Sequence, residues 1–422
     1  MQVFKFGGAS VNSADAVRNM ASIVGRYREE PLIVVVSAMG KTTNRLERLV
    51  PGVTTDKSLR DKLFAELKDY HLLMARDLLA GDAQNSLLAC LDTIFDQLHQ
   101  QIETPATSYN FDYDQTVCFG ELLSTTIISH YLNHIGLTNR WVDIRSVIRT
   151  DNTYREGRVD WDATQHAASH VLASGNDGLI VTQGFIAGTG EGHTTTLGRE
   201  GSDYSASILS YCLNATSMTI WKDVPGFLNA DPKFFADTVK IEQIPYNEAI
   251  ELAYYGASVI HPKTVKPIQN KGIPLFIKSF LSPDEAGSTI GAYRTIQPLT
   301  PLYIFRNEQL LLSILPKDFS FIAEDNLQTI FAALAETGVR VNMMQNSALS
   351  FSLCIDHNPI LLHRLQELLR PSFRLRYNEH LQLITIRYYS QDIIDHIVDG
   401  RPILLQQRSR TTTQLLVKTP TA

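Results

Sequence analysis

Cysteine is scarce: four residues, Cys90, Cys118, Cys212 and Cys354, in a chain of 422. They lie far apart, with no CxxC and no zinc-like spacing. Neither a disulfide framework nor a structural zinc is expected, and a reducing compartment suits them as small apolar fillers. Long apolar runs are missing too, since none reaches the ~20 residues a membrane span needs. The opening MQVFKFGGAS has no charged-then-apolar signal pattern. Basic excess is absent: 38 Lys and Arg stand against 44 Asp and Glu, a net charge of −6. Nothing here recruits nucleic acid through counterion release. The expectation is a cytoplasmic chain with neither a nucleic-acid nor a membrane partner. P-loop, GxGxxG, HExxH and GxSxG patterns are also lacking. His130 and His134, like His166 and His170, are four apart on helical stretches without an obvious third ligand. They read as solvated helix faces, and no metal site is expected.

What remains is ordinary globular composition, 44% hydrophobic and 19% charged, in a chain long enough for two or three domains. Short β-rich runs at 3–6, 32–36, 140–143, 178–186, 217–222 and 274–280 alternate with helical stretches near 13–27, 56–102, 120–135, 203–213 and 248–255. The continuous apolar run at 32–36 suits a strand buried on both faces. This alternation predicts an α/β sandwich around a mostly parallel sheet. TIQPLTP, at 295–301, reads as a linker between a first domain, 1–294, and a second, 302–422. Beyond it the order strand 310–315, helix 324–337, strands 339–345 and 349–356, helix 360–369, strand 373–377 is the ferredoxin-like β-α-β-β-α-β unit. A second, incomplete copy follows from His380.

Six segments carry polar chemistry at strand ends. KFGGAS places Lys5, Gly7, Gly8 and Ser10 between a strand and a helix, where backbone amides, a helix N-terminus and an ammonium can meet phosphate. VVSAMGKTTN presents Ser37 and Thr43 at the end of a buried strand. FGELLS puts Glu121 in a first helical turn. The glycine-rich QGFIAGTGEGHTTTLGREGSD carries Arg199, a planar fork for a carboxylate or phosphate, and then Ser202 or Asp203 as a helix cap. WKDVPGFLNADPK holds Lys222 and Lys233, and YGASVIHPKT starts a helix at His261–Pro262. Each segment alone has a plainer reading as a turn, a cap or a solvated lysine.

Together, and in this order, the segments resemble the aspartokinase family within the amino-acid kinase superfamily. KFGGAS, VSAMGKTTN, FGE, TLGREGSD, KDVPGFLNADP and GASVIHP are similar to that family's motifs over residues 1 to about 290. The C-terminal part is similar to its paired ACT regulatory domains, with Asn342–Asp356 resembling the strand-turn-strand that meets amino-acid effectors. The resemblance implies an amino-acid kinase fold, a three-layer α/β sandwich, followed by ferredoxin-like ACT domains. It implies ATP-dependent phosphorylation of the L-aspartate β-carboxylate, the first step towards lysine, threonine and methionine, with Mg²⁺ bound through the nucleotide. Lys5 would meet the transferred phosphoryl group and Asp203 would position it. Ser37, Thr43, Glu121, Arg199 and Ser202 would hold the substrate, Glu121 through its amino group and Arg199 through a carboxylate. Lys5, Phe6, Gly7, Gly8, Ser10, Lys222, Asp223, Leu228, Lys233, Ser258 and Val259 would lie along the nucleotide.

A homodimer or higher assembly, and lysine or threonine as effector, also follow from the resemblance. With nothing after residue 422, a fused dehydrogenase is not expected in this chain. Departures fall mostly on the nucleotide side. Ala9 stands for a usual threonine, Glu200 for a glycine, Lys222 for a threonine, Leu228 for an aromatic, Lys233 for an arginine and Ser258 for a lysine. The alternatives are another superfamily member, such as a glutamate or uridylate kinase, and a non-catalytic amino-acid sensor.

Overall fold

Runs rich in β-branched residues alternate with amphipathic helices through the first two-thirds of the chain. The computed structural model describes residues 1–172, 178–235, 237–257, 259–318 and 320–419. In chain order the elements are β1 (Gln2–Phe6), α1 (Ala14–Gly25), β2 (Leu32–Val36), α2 (Thr42–Glu47), α3 (Lys57–Leu78), α4 (Gly81–Glu103), α5 (Tyr109–Val117), α6 (Phe119–His134), β3 (Arg140–Val142), β4 (Arg149–Thr150), α7 (Trp161–Val171), β5 (Leu179–Gln183), β6 (Ile186–Thr189), β7 (Thr194–Thr196), α8 (Gly201–Cys212) and β8 (Ser217–Lys222). They continue with β9 (Phe227–Leu228), β10 (Lys240–Ile241), β11 (Gln243–Pro245), α9 (Tyr246–Tyr255), α10 (Pro262–Asn270), β12 (Leu275–Ser279) and β13 (Ser288–Gly291).

Eight strands form one sheet in the order β11-β13-β12-β8-β1-β2-β5-β3. Every neighbouring pair is parallel except β12 with β13. All five residues of β2 are buried, as a central strand covered on both faces must be. α8, backed by α10, packs on β1 and β8; α6, backed by α4, packs on β5 and β3. Helix starts follow capping chemistry: Ser13 accepts from Ala16 N–H at 3.2 Å, and Asp56 from Ser58 N–H at 2.9 Å.

Two expectations change here. The helical stretch 56–102 is two helices, because the chain turns at Gly81, whose φ of +61° ends any straight run. The expected strand 178–186 stops at Gln183. Phe185, at φ +69°, turns the chain into a separate small sheet, β4-β6-β7. The glycine-rich segment after it is therefore a β-hairpin rather than an open loop.

By contact the chain divides into two units: Met1–Phe227, Lys240–Ala253 and Ser258–Pro298, and then Leu228–Val239, Tyr254–Ala257 and Leu299–Ala422. The second unit adds β14 (Leu302–Pro316), α11 (Glu324–Thr337), β15 (Val341–Asn346), β16 (Phe351–Asp356), α12 (Pro359–Leu369), β17 (Phe373–Arg387), α13 (Gln391–Val398), β18 (Ile403–Arg408) and β19 (Thr412–Lys418). Its sheet runs β15-β16-β14-β17-β19-β18, antiparallel throughout. The first ferredoxin-like copy is as expected. The second is not left short of a strand: Leu302–Arg306, the start of β14, pairs with Leu383–Arg387 and supplies its fourth strand. β14 and β17, each 15 residues long, thus serve both copies. They bend where they pass from one to the other, at Glu308 (φ +52°) and His380 (φ +58°). One core gathers Leu310, Leu312, Ile330, Leu353 and Leu365; another gathers Ile384, Ile394, Leu415 and Val417. Among the described residues no helix is long and apolar enough to cross a membrane.

Gly188 tests the packing of the small sheet against the turn at Ile144–Ser146 that follows β3. A Cβ there would lie 2.3 Å from the Arg145 carbonyl oxygen, so Gly188→Ala should cost roughly 1–3 kcal/mol, the scale of overpacking. A thermal melt with an unchanged midpoint would contradict this.

Candidate active site

Parallel register brings the ends of β1, β2 and β8 to one rim: Phe6 is level with Val36 and Trp221. Ligand-binding loops of open α/β sheets emerge at such a rim. There Gly8 lies against the segment after β2. Its missing Cβ would sit 2.7 Å from Ala38 O and 2.9 Å from Gly40 O, and Gly40 N–H donates to Gly8 O at 3.0 Å. Backbone packs on backbone, which only glycine permits. A Cβ on Gly7 would stand 3.3 Å from Lys5 Nζ.

Lys5 Nζ meets Asp203 Oδ1 at 2.7 Å, and Lys222 Nζ lies 3.9 Å from Oδ2. Asp203 is buried in the first turn of α8, where the helix dipole favours a negative charge. The expectation that Ser202 or Asp203 caps this helix is corrected. Glu200 occupies the cap position, in a left-handed conformation (φ +54°) and without a side-chain cap bond. Both residues fall inside the first turn, which frees their side chains from capping. Glu200 is itself half-buried, and desolvation pushes its carboxyl up against the pull of Lys222.

Glu121 sits in the first turn of α6. Gly120 lets that turn close on the segment after β2, since a Cβ would be 2.9 Å from Ala38 Cβ. Glu121 Oε1 accepts from Ala38 N–H at 3.1 Å, while Oε2 is buried with no partner. Desolvation pushes the carboxyl up to about 8, with the Ala38 N–H pulling the other way. Such a group is short of one cation or donor. Ser124 Oγ donates to Ser37 O at 2.8 Å, tying the same helix to the same rim.

These residues share one cleft of about 830 Å³, lined by Lys5, Ser37, Thr43, Glu121, Arg199, Ser202, Asp203 and Lys222. Other expected residues stand elsewhere. Phe6 is fully buried and stacks on Trp221 (5.9 Å, 4°), because β1 is a central strand. Ser10 Oγ donates to Gly7 O at 2.7 Å. Neither side chain lines the cleft. Asp223 is exposed just past β8. Val259 O accepts from Lys222 Nζ. Leu228 and Lys233 belong to the segment grouped with the second unit, where Lys233 is exposed. Ser258 lies outside the described residues. The sequence reading missed Tyr113, Phe185, Arg155 and Glu156, which also line the cleft. The last two come from 151–158, a segment without a motif, and only its long-range packing brings them in. Among the described residues no three His, Cys, Asp or Glu stand together as a metal site.

Residues 1–279 match the amino acid kinase family. Lysine-sensitive aspartokinase 3 of Escherichia coli K12 is 33% identical over 364 residues, covering 84% of this chain and 78% of that protein. The chain belongs to the aspartokinase family. Chloroplastic aspartokinase 2 of Arabidopsis thaliana is 31% identical, over 87% of this chain and 69% of its own length. Among solved structures, E. coli aspartokinase III in complex with aspartate and ADP (R-state) superposes with a TM-score of 0.83 at 27% identity, covering 99% of this chain and 96% of that one. The same enzyme in complex with lysine and aspartate (T-state) gives 0.82 at 28% identity, over the same shares. This chain thus shares with that enzyme the α/β sandwich followed by an antiparallel sheet.

The buried Glu121 has a pH signature. Its folded value, about 8, lies above the ordinary 4.5. The stability it contributes is therefore complete below about 4.5 and lost as pH rises through about 8. Glu121→Gln removes that loss. Its melting temperature relative to the parent should climb between pH 5 and pH 9, and parallel pH profiles would refute the assignment.

Proposed function

We propose that the chain is an aspartate kinase that transfers the γ-phosphoryl group of ATP to the β-carboxylate of L-aspartate, giving 4-phospho-aspartate and ADP. The observation that carries this is the single cleft that the Lys5–Asp203–Lys222 cluster, Glu121 and Arg199 all line. Its lysines suit a triphosphate; a buried acid and a guanidinium suit an amino acid. The E. coli relative whose structure holds aspartate and ADP supports the same two ligands.

In this reading a β-carboxylate oxygen attacks the γ-phosphorus in line. The new O–P bond forms as the bond to the ADP oxygen breaks. The attacking carboxylate is ionised at neutral pH, so no general base is needed. The chain supplies position and charge. Lys5, held by Asp203, would meet the phosphoryl oxygens, with Gly7 and Gly8 amides and the α8 N-terminus around them. Glu121 would take the substrate ammonium, Arg199 its α-carboxylate, and Ser37, Thr43 and Ser202 would complete the pocket. Lys222 and Val259, with Asp223, Leu228, Lys233 and Ser258, are assigned to the nucleotide. Mg²⁺ would ride on the phosphates, drawing charge off them when bound. The first domain, 1–294, is read as catalytic. The second, 302–422, is read as regulatory, with lysine or threonine as effector in a cytoplasmic homodimer or larger assembly.

Hydroxylamine trapping of the acyl phosphate, with ATP and aspartate and with or without lysine and threonine, tests the activity. Hydroxamate should form with aspartate; none at any substrate level would sink the reading. Lys5→Ala should lower kcat by roughly 10²- to 10³-fold, the scale for losing one electrostatic stabiliser. Arg199→Ala should act chiefly on the aspartate KM, and an unaltered KM would remove that role. At pH 7 the free Glu121 is mostly protonated, given its value of about 8. Pairing with an ammonium must then release a proton. Calorimetry of aspartate binding in buffers of different ionisation enthalpy should detect that release in the parent and not in Glu121→Gln.

A further inference from the structure

Asp114 is a buried carboxylate that the reaction above does not use. It lies in α5 with no exposed surface and accepts three hydrogen bonds. Arg155 N–H (2.8 Å) and Thr196 N–H (3.0 Å) donate to Oδ2, and the Thr196 hydroxyl (2.8 Å) donates to Oδ1. Two of the three donors are main chain. Its hydrogen bonds therefore fix backbone, with no ion pair closed among the described residues, and a buried carboxylate is a costly way to do so unless the backbone it fixes matters.

That backbone is Arg155 itself. It has φ +70°, a left-handed conformation costing a non-glycine residue roughly 1–2 kcal/mol. The turn around it rests on the strand that leads to Arg199. Gly157 N–H donates to Thr196 O at 2.9 Å. The missing Cβ of Gly198 would sit 3.4 Å from both Arg155 O and Glu156 Cγ. Two touching turns thus each deliver an arginine to the same cleft. The Arg155 guanidinium lies over the Tyr113 ring at 4.5 Å and the Tyr109 ring at 5.3 Å, which limits its freedom without consuming its donors. Among the described residues neither arginine closes an ion pair with a carboxylate. Arg155 is set by a strained turn, a buried acid and two rings, and its fork of donors remains open towards the cleft.

We propose that Arg155 is a second anion-binding residue for the acidic substrate, joining Arg199 on the α-carboxylate, and that Asp114 is the positioning residue that sets it. This rests on the aspartate-kinase reading. The aspartate β-carboxylate must stay free to attack, so the α-carboxylate is the anion left for a guanidinium pair. The chemical consequence is selectivity. An acceptor with the same amine and reacting carboxylate but no α-carboxylate, β-alanine, should gain nothing from Arg155.

The test uses the full chain with Arg155→Ala, Arg155→Lys and Asp114→Asn. Kinetics are measured against aspartate, ATP and β-alanine, the last read as acceptor or as an inhibitor competitive with aspartate. Losing a hydrogen bond to a charged group predicts a roughly 10- to 100-fold rise in the aspartate KM for Arg155→Ala. The ATP KM and kcat should stay within about threefold, and the β-alanine response should stay at the parent level. Arg155→Lys should recover part of the loss, because it keeps the charge and drops the fork. Asp114→Asn should show a smaller rise confined to aspartate, and adding it to Arg155→Ala should change nothing more. An aspartate KM within twofold of the parent in Arg155→Ala, or an equal loss towards β-alanine, overturns the proposal while the kinase reading stands. A parent that forms no hydroxamate with aspartate overturns both.

Discussion

The contact between Lys5 and Asp203 governs the arrangement of this molecule. An ion pair so nearly enclosed is a poor stabiliser, because removing two charges from water costs about as much as their attraction returns. Its value is positional. The ammonium cannot leave the cleft floor while the carboxylate holds it, and the carboxylate is fixed in the first turn of α8. β1 carries one partner and α8 packs on β1, so strand, helix and charge pair are mutually determined. The glycine at 8 follows from the same geometry, since a side chain there would collide with the neighbouring loop, and one at 7 would crowd the ammonium.

Around that pair the cleft divides its labour by dielectric. Glu121 is buried deeply enough to resist ionisation, whereas Arg199 is exposed and always charged. A ligand carrying one ammonium and one carboxylate compensates the first and neutralises the second. Burial therefore makes the acid a conditional partner, charged chiefly when its counter-ion arrives.

Much of this was legible in the sequence because the relevant signals are local. The strand at 32–36, the glycine turn after β1 and the order of six motifs predicted the sheet, the cleft and eight of its residues. What failed depended on distant neighbours or on left-handed residues. The cap of α8 was misplaced because Glu200, an ordinary residue by composition, takes a positive φ. Phe185 breaks an apolar run in the same way. Arg155 carries no motif, and its placement depends on distant groups: Asp114, 41 positions earlier, and the Tyr109 and Tyr113 rings. Phe6 and Ser10 sit in a motif that points to phosphate, yet one fills the core and the other bonds its own turn. The strand start at 302–306 was invisible because its partner lies near residue 385.

That last pairing bears on how the chain must be made. Residues 302–306 leave the ribosome before their strand partner, 383–387, has been made. The intervening copy has all its own strands by then. The sheet of the second copy cannot be completed until the later segment follows. Cutting the two copies apart as independent modules would leave each with half a strand and an open edge, a template for aggregation. Exchange of these regions between related chains should succeed only when both travel together.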